Sequence, residues 1–162
     1  MKKSKSNSSA FGKGLLLLGV VFGIVVITLF FTPFISNVGS IDGFKLAFGY
    51  ESSTSIGGIV SITTETVKLV PLFLIAFILA CVSVAVGLIS CFMKDKIKAV
   101  TLLIGALVLI VAGVFFFVGK FNYASVNNID NADNVKMLAG AILAGSYSFA
   151  GALSYVGAAI LK

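Results

Sequence analysis

Four long apolar runs dominate the chain, and three polar connections separate them. The runs extend from Gly14 to Ile35, Leu69 to Met93, Ala99 to Val118 and Met137 to Leu161, and none contains a charged side chain. An apolar stretch of about 18 residues is long enough to cross a bilayer as a helix. The pattern therefore predicts four transmembrane helices, at about 14–35, 69–93, 99–118 and 137–161, in one integral membrane domain covering 1–162. The expected fold class is an all-α membrane protein, a four-transmembrane-helix bundle with a small extracellular β-hairpin or meander between helices 1 and 2.

That β element is read from alternation. Phe44, Leu46 and Phe48 alternate with Lys45 and Ala47, and Val60, Ile62 and Thr64 alternate with Ser61 and Thr63. Period-two alternation of aromatic and β-branched residues predicts strands, with the Ser- and Gly-rich stretch 49–58 as a loose connection. The outer segments then run about 36–68 and 119–136, and residues 1–13 form a polar tail expected to lack structure. Pro33 disfavours helix for the residue before it, so the first helix should kink or end near Thr32. Phe residues gather at the outer ends of the first and third helices, where they suit either core packing or an interfacial collar.

Within the helices the informative positions are the small ones. At about 100° per residue, Leu138, Ile142, Phe149, Leu153, Val156 and Ile160 form one stripe of the last helix. Gly140, Ala144, Tyr147, Ser148, Gly151, Ser154, Tyr155 and Ala158 fall on the opposite side. Lipid tails are as apolar as Leu, so bulky groups gain little by choosing protein over lipid, whereas small residues let backbones approach. The small face should pack on protein, either within the bundle or against a second copy. Gly105, Ala112 and Gly119, seven apart, form a similar seam, and Gly19 and Gly23 make a G-x-x-x-G pair.

Charge adds orientation. Mean hydropathy is +1.12, and the 11% charged residues fall far below the roughly 25% of soluble domains. All positive charge is Lys. Eight of the twelve (Lys2, Lys3, Lys5, Lys13, Lys94, Lys96, Lys98 and Lys162) fall in the N-terminal tail, the middle connection and the last position. Short basic connections stay in the cytoplasm, which places both termini inside and the first and third connections outside, in a cell membrane and with an uncleaved first helix. The net charge of +6 is then a topology signal and headgroup contact, and nucleic acid is not an expected partner.

Little chemistry is on offer. The chain has no His, so zinc sites and Cys–His nucleophiles lack ligands. Cys81 and Cys91 are ten residues apart on one helix, too far for a disulfide. The acidic residues lie outside the apolar runs, which argues against proton relays and ion-coupled carriers. The Asn- and Asp-rich stretch 127–134 reads as a turn. No catalytic, cofactor or metal site is expected, and no small-molecule substrate is identifiable.

Four helices, both ends inside, a long first outer segment with β character and a shorter second one together resemble the claudin-type tetraspan architecture. The resemblance covers the whole chain as topology. The family's Trp, Gly-Leu-Trp and paired-Cys pattern in the first segment has no counterpart here, so no functional residue is carried over. The run Gly43-Phe44-Lys45-Leu46-Ala47-Phe48-Gly49 and the Ala/Gly-rich last helix are also similar to small membrane proteins of low-GC Gram-positive bacteria. The expected function is a non-enzymatic structural or assembly component, as a homo-oligomer or in a membrane-protein complex embedded in the lipid bilayer. Alternatives are a subunit of an oligomeric pore, lined by Thr101, Ser146, Ser148 and Ser154, and an accessory or immunity subunit of a transporter or toxin system.

Overall fold

The computed structural model describes residues 2–36, 39–56 and 60–161. In chain order the elements are α1 (Lys2–Leu29), β1 (Pro33–Ser36), β2 (Ser40–Asp42), α2 (Gly43–Phe48), β3 (Tyr50–Ile56), β4 (Val60–Val67), α3 (Pro71–Ser90), α4 (Asp95–Val126), a 3-10 turn (Ala132–Asn134), β5 (Lys136–Met137) and α5 (Ala139–Ile160). Four of these helices, α1, α3, α4 and α5, are long and apolar enough to cross a membrane. They form a ring in which α1 and α4 each pack on both α3 and α5. The 20 residues of α3, at about 1.5 Å each, span about 30 Å, the thickness of a bilayer's hydrocarbon core.

Each long helix buries one stripe and exposes the rest. On α3 the buried residues are Phe73, Ala76, Ala80, Ser83, Gly87 and Ser90, the three-and-four spacing of a single helical face. The opposite faces carry large exposed apolar side chains, among them Leu17, Val21 and Ile24 on α1, Ile78 on α3, Leu103 and Leu107 on α4, and Leu153 on α5. An apolar surface this continuous is foreign to soluble monomers and suits contact with acyl chains. Inside, one cluster centred on Phe30, Phe34, Phe73 and Phe116 fills the half nearest the strands. A second, with Leu16, Leu102, Leu109 and Tyr155, fills the other half.

The strands close one end of the bundle. β1 pairs antiparallel with β2, Ile35 opposite Ile41, and with β5, Ile35 opposite Met137. The connection after α4 is thereby tied to the connection after α1, and the Leu138 N–H extends the tie by donating to the Phe34 carbonyl at 2.8 Å. β3 and β4 form a separate two-stranded antiparallel sheet, from Tyr50 opposite Val67 to Ile56 opposite Val60. The N-terminus, the turn between α3 and α4 and the end of α5 lie together at the opposite end of the bundle.

Several expected boundaries move. α1 begins at Lys2, where a structureless tail was expected; adding residues to an existing helix avoids the nucleation cost of a new one. It ends at Leu29, short of 35 and close to the break expected near Thr32, because Ile27, Thr28 and Leu29 carbonyls accept from N–H groups three residues on and Pro33 opens β1. Helix α4 runs well beyond 99–118 at both ends, since charges such as Lys98 and Lys120 end an apolar run without ending a helix. α3 occupies Pro71–Ser90 and α5 Ala139–Ile160, one to three residues inside the expected limits.

The expected strand at Phe44, Leu46 and Phe48 is a helix. Asp42 caps it, its side chain accepting from the Lys45 N–H at 2.8 Å as N-cap residues do. The buried residues Gly43, Leu46 and Ala47 follow helical spacing, which the two flanking Phe residues masked as alternation. Stretch 50–56, expected to be a loose connection, is β3. The start of α3 is completed from a distance. Val70 offers no side-chain cap and Pro71 has no N–H, and the next donor, Leu72 N–H, gives its bond to Asn122 Oδ1 on α4 at 3.2 Å.

Candidate functional site

The small residues singled out above sit inside the bundle of a single chain. On α5, Ala144 and Ser148 are fully buried, and Ser154 and Ala158 nearly so. A Cβ on Gly140 would strike Thr32 and the start of β1, and one on Gly151 would stand 3.0 Å from Leu109 and 3.2 Å from Phe22. The face is therefore occupied by α1 and α4. Ala112 is buried, Gly119 abuts the Phe73 ring, and a Cβ on Gly23 would meet Val84 of α3 at 2.6 Å.

Gly19 and Gly105 converge on one side chain, Tyr155. Its ring is fully buried and seated against glycines from three other helices. A Cβ on Gly19 would lie 2.5 Å from ring atoms Cδ1 and Cε1, one on Gly105 would lie 3.3 Å from Cδ2, and one on Gly87 would strike the hydroxyl. The hydroxyl donates to the Ser83 carbonyl on α3 at 3.1 Å, and Ser83 Oγ donates in turn to the Gly105 carbonyl on α4 at 3.3 Å. Sequence reasoning placed Tyr155 on the small face but missed Ser83 and Gly87. The available signal was a bulky ring on a face of small residues, which demands complementary glycines elsewhere.

The consequence is a closed centre. Tyr155 plugs one half of the bundle, and in the other half Phe30 packs on Phe34, Phe77 and Phe116 with ring centroids 5.1, 4.8 and 5.5 Å apart. The hydroxyls considered for a pore are bonded within their own helices in the single chain. Thr101, Ser146, Ser148 and Ser154 each donate to a carbonyl four residues earlier on their own helix. Ser148 and Ser154 are buried while Ser146 is exposed on the outside.

At the sheet end, the Phe residues divide between core and surface. Phe30, Phe34, Phe73 and Phe116 are fully buried, whereas Phe31, Phe44 and Phe48 are exposed and continue the ring contacts outward at 5.4 and 4.6 Å. The five residues assigned to an outer β segment are separated: Phe44, Leu46 and Phe48 lie on α2, and Val60 and Ile62 lie on β4 opposite Ile56 and Thr54. Leu46 is buried and its carbonyl accepts from the Val70 N–H at 2.8 Å, so α2 staples the base of the hairpin to α3. The hairpin itself pairs with no other strand among the described residues, which leaves two open edges.

Charge is sorted by end. At the sheet end Lys45 sits 3.8 Å from Asp42 and 4.5 Å over the Tyr50 ring, and Lys68 reaches the last carbonyl of α4 at 3.4 Å. The Asn-rich connection is a set of turns: Asn131 accepts from the Asp133 N–H at 2.9 Å, and Asn128 adopts a left-handed φ of 55°. Among the described residues no three Cys, Asp or Glu side chains cluster as metal ligands. Cys81 is half-buried in mid-α3 and Cys91 is exposed just past its end. No protein-family model matches the chain, and no curated protein matches it either.

Proposed function

We propose that this chain is a multi-pass protein of the cell membrane, with both termini in the cytoplasm, that acts as a non-enzymatic assembly component through its outer hairpin. Four helices of spanning length, an apolar outer surface and lysines concentrated at the end opposite the strands support the placement. The single observation carrying the assembly reading is the β3–β4 hairpin, both edges of which are unpaired among the described residues. A lone two-stranded sheet is marginal in water, and an exposed edge is a template for another strand. Pairing with a second copy or a partner's strand completes it. The small face of α5, spent on packing within the chain, is then not the assembly surface.

The test is the oligomeric state of the protein in lipid nanodiscs by native mass spectrometry. The intact chain should give oligomers. Replacing residues 51–66 with Gly-Gly, which joins the paired residues Tyr50 and Val67 by a favourable hairpin turn, should leave a folded monomer. An intact chain that is monomeric, or a shortened one that still assembles, defeats the reading. Unitary conductance from the intact chain in planar bilayers would favour a pore formed between subunits.

A further inference from the structure

The bundle leaves a cleft at the end opposite the strands, of about 190 Å³, lined by Lys13, Leu16, Leu17, Cys91 and Lys98. Three elements meet there. Lys13, Leu16 and Leu17 share one face of α1 at helical spacing, Cys91 follows α3, and Lys98 lies in the first turn of α4. Leu16 is buried and forms the apolar floor, while Leu17 and Lys13 are exposed. Among the described residues neither lysine has an acidic partner, and the ion pair that exists, Lys45–Asp42, is at the other end of the molecule. Lys94 and Lys96 flank the same turn, and Asp95 is the only acidic residue in the sequence at this end.

Two ammonium groups with no acidic partner among the described residues, beside an apolar floor, complement a ligand that is anionic at one end and greasy at the other. The volume equals about six waters at roughly 30 Å³ each, room for a compact headgroup but not for acyl chains, which have the exposed face of α1 at Leu17 and Val21 to lie along. Basic pockets between helices on the cytoplasmic side suit such headgroups. We infer that this cleft binds one anionic glycerophospholipid, its phosphate held by Lys13 and Lys98 and a tail lying along α1. The inference rests on the membrane placement proposed above.

Cys91 provides a native reporter, because it lines the cleft and is exposed, whereas Cys81 lies in the middle of α3. The intact protein is placed in phosphatidylcholine nanodiscs with or without phosphatidylglycerol, and the rate at which an uncharged maleimide labels Cys91 is followed by peptide mass spectrometry. Within each variant the ratio of rates with and without phosphatidylglycerol is the readout. Phosphatidylglycerol should slow labelling of the wild type at least five-fold, leave K13A/K98A unprotected, and protect K96A as fully as the wild type. Affinity for phosphatidylglycerol in native mass spectrometry should fall about five-fold for each of Lys13 and Lys98 removed.

Absence of protection in the wild type overturns the inference. Equal loss in K96A and K98A overturns it too, by showing diffuse attraction to a charged surface. Equal protection by inorganic phosphate in phosphatidylcholine nanodiscs also overturns it, in favour of a soluble phosphate ligand. A protein that stays in the aqueous phase and does not enter nanodiscs at all would defeat the membrane placement, an outcome visible before any labelling.

Discussion

Tyr155 and Gly19 should behave as one unit. Adding a methyl group at Gly19 puts a Cβ 2.5 Å from two Tyr155 ring atoms, against the 3.4–4 Å of ordinary contact. The ring cannot retreat, because Gly105 backs its far side and Gly87 backs the hydroxyl. Overpacking of this kind costs about 1–3 kcal/mol, so Gly19→Ala should destabilise by that amount. In a Tyr155→Ala background, itself costing about 3–5 kcal/mol, the same methyl enters the vacated space and should change stability by less than about 0.5 kcal/mol. Tyr155→Phe keeps the ring and removes only the hydroxyl, so Gly19→Ala should retain its full cost there. The assay is loss of helical circular dichroism in mixed micelles as the SDS fraction rises, run as a double-mutant cycle with the Phe variant as control. A cost for Gly19→Ala that is unchanged in the Tyr155→Ala background would show that the ring is not what the glycine accommodates, and the account of the filled centre would fall.

Two further outcomes follow from single contacts. Asn122→Ala deprives the Leu72 N–H of its acceptor and should cost about 1 kcal/mol, as loss of a cap does, with faster amide exchange at the start of α3; Asn122→Asp should restore protection. Gly49 ends α2 at φ 76°, ψ 158°, a region open almost only to glycine, so Gly49→Ala should destabilise by about 1–3 kcal/mol and loosen hydrogen exchange in the hairpin. Unchanged exchange there would show that the α2 turn does not set the hairpin's base.

Hydropathy and periodicity alone carry the four helices of spanning length, because apolar length is a local, additive property that packing need not supply. The small face of α5 and the division of lysines between the two ends are legible for the same reason. Short elements are not. Residues 43–48 are too few to hold a helix by propensity, and it took the Asp42 cap and burial of Leu46 and Ala47 to decide against a strand. The pairing of β5 with β1 and the loan of Asn122 to α3 link residues about 50 to 100 positions apart in the chain, and no window of sequence contains both partners. Tyr155 makes the same point at the centre. Its glycines lie on three other helices, two of them legible only as generic small residues and Gly87 not at all, and only their convergence turns a face suited to any close neighbour into a seat for one ring. The assembled bundle also decides that these small residues pack inside the chain, because each needs a bulky neighbour from another helix to fill the space it leaves.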